Sequence, residues 1–429
     1  MTTAQTVPTM DDPTTGDWAW TAQPEARRLV EESLIAFVGK CPEGARFGER
    51  LLKETGTHIT DWVGVILNPD TPETRARLEA AGYVPRTTEF VDADIQYAFW
   101  HPCSSTPDIL LTESDRMSVG LLVDSVADFF AANQLAGVDH IQGEPLARAR
   151  WAQVAQGEGA ALWVFERHGY DGFHLKFEIA EHRIAAMHHL ERFRARHRGG
   201  DQARAFDEIE QAARAAADEL GADWAASLFM KAEREYFVRH HDGAFGQATR
   251  QGILGLGLAN VDHTVYASCG SGLARTLEVF AVLGFRRRES FDLGRGDLAT
   301  VLEQPVTGDT VVVVSPSGDA AGGSGSWARL IGESLAAGGP AGMALRGEAD
   351  TLGAHLGFGA KEGHDAASVH GIAVPQDQAD TLASEGLVEQ TVADAIRSGA
   401  AIGPVLSLVS RCEGSRSLTP ETIAWRIPG

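Results

Sequence analysis

The sequence predicts an α+β fold: two modules of βαβββ type, around residues 56–114 and 259–415, with a long helical segment between them. Three observations point that way. Residues 58–114 and 263–305 each alternate short β-branched or aromatic runs with one helix-like stretch. In both, a glycine–aromatic pair (Gly82-Tyr83 and Gly284-Phe285) punctuates the end of the helix. Most of residues 115–255 carries apolar residues at helical spacing.

The elements follow in order. Residues 1–23 are polar and acidic, lack the basic-then-apolar build of a signal peptide, and read as a disordered tail. Residues 24–114 hold the first helices, ARRLVEESLIAFV and ARFGERLLKE, and the first module. In it HITDWVGVIL is a strand, PDTPETRARLEAAGY a helix, and VPRTTEFV, DIQYAFWHP and PDILLTES are strands. Residues 115–255 form the helical domain, with ALWVFERHGYDGFHLKF as an exception containing some strand. Residues 256–429 hold the second module, interrupted by the Gly/Ser-rich loop PSGDAAGGSGS. Three late elements close it: SVHGIAV, the helix DQADTLASEG and the strand GPVLSLVS.

Composition bounds the function. The chain has 429 residues, 44% hydrophobic and 22% charged, which suits two or three ordinary globular domains. A net charge of -22 argues against nucleic acid or an anionic membrane as a partner. No apolar run reaches membrane-spanning length. Four scattered cysteines with no CxxC pair suit a reducing cytoplasm and argue against a thiolate zinc site.

The modules repeat one another. His58 precedes Gly82-Tyr83 by 24 residues, and His263 precedes Gly284-Phe285 by 21. Each pair leads to a Phe and an Asp (Phe90 and Asp92, Phe291 and Asp292). A strand ending in proline then follows, at Pro102 and Pro305. A repeat of this length constrains the whole fold.

A histidine-bearing strand, a helix ending in GY or GF, and three further strands resemble the vicinal-oxygen-chelate superfamily. The resemblance implies paired βαβββ modules forming a half-open barrel around a divalent metal. In members with two histidines and one carboxylate, first strands of paired modules give the histidines and a final strand gives a glutamate. The order module, helical insert, module, then RCEGSRSLTP is similar to the 2-oxoadipate dioxygenase/decarboxylase (hydroxyglutarate synthase) family. That likeness puts Glu413 in the glutamate's place, beside His58 and His263. VDHTVYASCGSGL, FDLGRG, VHGIAV and GPVLSLV resemble, more distantly, the 4-hydroxyphenylpyruvate dioxygenase family. That reading selects His370 in place of His58, and its own glutamate would fall near Leu408.

What these resemblances imply is Fe(II), or another divalent metal, held by His58, His263 and Glu413, with His370 as the alternative to His58. Such a facial triad leaves positions for a bidentate 2-oxo acid and for O2. The 2-oxoadipate family carries an arginine shortly after its first histidine. Here Ile59, Thr60, Asp61 and Trp62 follow instead, so 2-oxoadipate itself is in doubt. Arg411 and Arg416, or Arg286, could clamp a substrate carboxylate. Trp62, Phe99, Trp100 and Tyr266 are candidate wall residues of the barrel.

Plainer readings stand beside these. His58 and His263 could be hydrogen-bonded strand histidines, and Glu413 a surface ion pair with Arg411 or Arg416. Glu113 and Glu303 are reserve carboxylates. The helical middle gathers Glu178, Glu181, His182, His188, His189, Glu235, His240 and His241, but it lacks the Glu-x-x-His pairs of a di-iron bundle. No dinucleotide fingerprint, P-loop or nucleophile elbow is present.

Three functions fit. The first is a non-haem iron dioxygenase taking a small 2-oxo acid and O2. The second is a glyoxalase-like isomerase or lyase using its metal as a Lewis acid. The third is a non-catalytic protein that sequesters a small molecule. A cytoplasmic enzyme is expected, with homodimer formation left open.

Overall fold

The chain enters its first core through two helices, α1 (Pro24–Lys40) and α2 (Pro42–Thr55). Both open on proline followed by glutamate, a pre-set φ and a negative charge at the positive end of the helix dipole. Ala26, Leu29, Val30, Leu34 and Phe37 recur at helical spacing and are buried. In this computed structural model the residues described are 24–55, 57, 59–86, 95–101, 106–137, 140–172, 179–196, 202–239, 242–260, 263–267, 271–292, 298–315 and 405–407.

The first module is β1 (Val63–Pro69), α3 (Pro72–Ala80), β2 (Val84–Arg86), β3 (Ile95–Trp100) and β4 (Asp108–Thr112). β1 lies parallel to β4, with Val65 opposite Asp108, and the order runs β2-β3-β4-β1. Thr71 caps α3 by accepting the Thr74 N–H at 3.0 Å. Gly82 ends it at φ +87°, where a Cβ would come within 2.8 Å of His101 Nε2.

HITDWVGVIL is not one strand. Ile59–Asp61 forms a turn of 3-10 helix, and β1 begins at Val63. The cause is Trp62, which is buried in the first core with its indole N–H donated to Thr57 Oγ1 at 2.9 Å. That anchor holds the chain in a turn between α2 and the sheet.

The helical reading also fails over residues 117–167. There β5 (Met117–Leu122), α4 (Val126–Ala132), β6 (Ala149–Gly157) and β7 (Ala160–Arg167) extend the same sheet. β5 is antiparallel to β1 and parallel to β7, giving the order β2-β3-β4-β1-β5-β7-β6. In both units the first strand lies parallel beside the last, and the second unit has one strand fewer. Helices α1, α2 and α4 cover one face of this open sheet. The outer strand β6 is bulged between Gln153 and Ala155. A Cβ at its last residue, Gly157, would stand 2.1 Å from the Lys40 carbonyl oxygen at the α1–α2 junction.

From residue 180 the chain is helical as expected: α5 (Ala180–Ala195), α6 (Gln202–Leu220), α7 (Ala222–Arg239) and α8 (Asp242–Ile253). α6 buries Ile209 and Leu220, and between them Ala212, Ala213 and Ala216, small side chains that let its neighbours approach closely. The second module follows as β8 (His263–Ala267), α9 (Ser271–Val282), β9 (Arg286–Asp292), β10 (Leu298–Glu303) and β11 (Thr310–Ser315). Its order is β8-β11-β10-β9 with β8 parallel to β11, the arrangement of the first module. β12 (Val405–Ser407) pairs antiparallel on the free side of β8, as β5 does on β1. The fold is therefore α+β with repeated βαβββ modules. One face of the second sheet packs on α5–α7 and α9 through a core containing Phe193, Phe229, Phe280 and Val313.

Candidate functional site

The residues expected to hold a metal divide sharply. His58, His370, Glu413, Arg411 and Arg416 lie outside the described residues. His263 is the first residue of β8 and pairs with Ser407 of β12. It stands eight residues before α9. The residue eight before α3 is Gly64, whereas His58 precedes that helix by fourteen. At that spacing the first module carries Gly64, where a Cβ would meet Leu122 Cγ at 2.5 Å. Among the described residues no group of three or more His, Cys, Asp or Glu side chains could hold a metal ion.

The reserve carboxylates and the wall residues also resolve. Glu113 is exposed, and Glu303 ends β10 opposite Arg286 and Thr310. Trp62 and Phe99 belong to the first core, under the helices. Tyr266 packs edge-on against Phe280 and donates to Glu233 at 3.4 Å, on the helix side of its sheet. These three do not line an open barrel face. Trp100 is partly exposed at the end of β3.

Arginines claim the helical carboxylates that a di-iron site would need. Arg196 forks onto Glu233 at 3.1 and 2.7 Å, and Arg194 onto Glu235 at 2.7 and 2.8 Å. Burial raises the Glu235 carboxyl, but Arg194 and its neighbouring cations hold it below its ordinary range. His189 pairs with Glu219 at 2.8 Å, while Glu181, His182 and His188 are exposed. Glu178, His240 and His241 lie outside the described residues.

Two buried charge groups sit at the end of β7. Glu166 Oε2 accepts the Val126 N–H at 2.9 Å, opening α4, and Arg150 Nη1 at 3.1 Å. Its Oε1 lies 2.9 Å from His168 Nε2. Burial pushes the Glu166 carboxyl up, and the His168 hydrogen bond with these other partners brings it net below the usual value. On the opposite face Arg86 bridges Asp108, at 3.1 Å, and Asp171. Burial drives the Asp108 carboxyl up against the pull of Arg86 and Arg167, and burial also depresses Arg167.

Beside them is a cavity of 190 Å³, where the end of β7, α7 and the β10–β11 turn meet. Ser227, Lys231, Arg234 and Glu235 fall on one helical face of α7 and line it. Arg167 and His168 enter from β7, and Thr307 and Asp309 from the turn. Gln304 fixes that turn. Its Oε1 accepts the N–H groups of Val306 and Thr307 at 2.7 and 3.0 Å, and its Nε2 donates to Asp223 Oδ1 at 2.7 Å. Sequence reasoning missed this site, because no local pattern announces that residues 167, 231 and 309 converge. The one available signal was the ERHGY run at the end of β7.

No family model matches the chain, and no curated protein matches it. Among solved structures it is similar to two mutants of glyoxalase I from Zea mays, each at 11% identity with a TM-score of 0.18. The match covers 59% of this chain and 68% or 67% of theirs. At that TM-score the fold rests on this chain's own strand order and register. Among the described residues no helix is long and apolar enough to cross a membrane.

Proposed function

We propose that the chain is a metal-dependent enzyme of vicinal-oxygen-chelate type, an Fe(II) dioxygenase acting on a small 2-oxo acid. The observation that supports this is the duplicated module, with His263 heading β8 between β11 and β12. Two histidines and a carboxylate form a donor set suited to a divalent ion. Glu413 follows Ser407, the strand partner of His263, by six residues. His58 supplies the second histidine in this reading, with His370 as the alternative to it.

Bound iron would supply open coordination positions for the chelating oxygens of the substrate and for O2. The chain's own part is to position the 2-oxo acid, with Arg411 or Arg416 clamping its carboxylate. The test is CO2 release from candidate 2-oxo acids with Fe(II) and O2, beside an anaerobic control. Oxygen-dependent release is expected. Equal turnover under nitrogen would replace this reading with isomerase or lyase chemistry.

A further inference from the structure

We propose that the cavity between β7, α7 and the β10–β11 turn is a binding site for a small organic carboxylate, gripped by Lys231 and Arg234. Its residues are separate from those of the proposed metal centre, so it stands independently of that reading.

The acids of the cavity wall are already engaged. Glu235 is held by the Arg194 fork, Asp309 by Arg234 Nη2 at 2.5 Å, and Asp124 accepts the Leu258 N–H at 2.7 Å. The donors are not used up. Lys231 Nζ comes no closer than 3.9 Å to Glu235 Oε1 and makes no hydrogen bond among the described residues. Arg234 spends Nη2 on Asp309, while its Nε is buried without an acceptor. A buried donor lacking an acceptor is costly, and a carboxylate oxygen supplies that acceptor in a charge-assisted bond, which a cation cannot. Arg167 adds a third positive charge to the wall.

The rest of the wall selects among anions. Leu122, Phe165, Leu258 and Val306 add apolar surface to the cavity lining beside the cations. A bare inorganic anion would leave that surface wet, whereas an organic carboxylate fills both halves. The volume far exceeds the roughly 10–15 Å³ that admits one water, so a small organic acid fits.

The experiment is calorimetric titration of the full chain with propionate and malonate at fixed ionic strength, with inorganic phosphate as comparison. It is run on protein as purified and again after metal removal and buffer exchange. Saturable carboxylate binding is expected in both preparations. Lys231→Met should weaken it about tenfold or more, and Lys231→Arg should keep most of it. Lys231 is partly exposed, so its variants should retain the wild-type melting temperature without ligand; should Lys231→Met not fold, Lys231→Gln carries the same comparison. Binding that disappears with the metal, binding unchanged in the Lys231 variant, a preference for phosphate, or no saturable binding would each overturn the proposal.

Discussion

Gly64 and His263 each stand eight residues ahead of their module's helix, on first strands of two modules with one strand order. In the first sheet that place has no room for a side chain. Leu122 already packs over Gly64, as Phe165 and Val65 pack over Gly120. At equal spacing from the helix, the first module packs tightly where the second carries a histidine.

Metal binding should depend on His263. His263→Ala should lower metal affinity by at least about tenfold, since even outer-shell partners of ligands cost that much. Of His58→Ala and His370→Ala, the variant with the same loss identifies the second histidine. Plasma-emission metal analysis of the three purified variants reads this directly. Retention of metal by His263→Ala would remove the assignment.

Glu166 should contribute to the acid limb of stability. Its folded carboxyl is held below the unfolded value near 4.5, so the folded state binds fewer protons there. Its contribution is present above pH 4.5 and fades as pH falls through the lowered folded value. Glu166→Ala strands Arg150 in the core and should cost about 3–5 kcal/mol at neutral pH by urea unfolding. Glu166→Gln should flatten the stability profile below pH 4.5. An unchanged profile would show that other carboxylates govern that limb.

Two glycines separate backbone strain from contact. Gly159 and Gly169 both have positive φ, +74° and +62°. A Cβ at Gly159 meets nothing within 4 Å, while at Gly169 it would lie 2.4 Å from Trp224 Cα at the start of α7. Gly159→Ala should cost about 1–2 kcal/mol from conformation alone. Gly169→Ala should add a further 1–3 kcal/mol or more from overpacking. Equal melting temperatures for the two variants would contradict the close approach of β7 to α7.

The modules were legible because their signals are local: a strand period of two, a helix period of 3.6, and glycine before an aromatic where each helix ends. Gly82 and Gly284, at φ +87° and +79°, do what their sequence context promised. The β5–β7 unit was not legible as a unit. ARWAQVAQG is alanine-rich and favours helix by local propensity, yet it is strand because β7 pairs along its length. The cavity was invisible for a related reason. Arg167, Lys231 and Asp309 lie more than sixty residues apart in sequence and meet only through tertiary packing. The strand expected over HITDWVGVIL starts only at Val63 because the burial of Trp62 and its hydrogen bond to Thr57 outweigh the β propensity of Ile59–Asp61.

The close seat of Gly157 under the Lys40 carbonyl bears on solubility. A three-stranded unit that never acquires a fourth strand ends in backbone that another chain could extend, and an open sheet offers such an end to every neighbour. Here the α1–α2 junction rests on that end, and the Gln153–Ala155 bulge twists the strand beside it. The α1–α2 junction thus covers the end of an edge strand that another chain could otherwise extend.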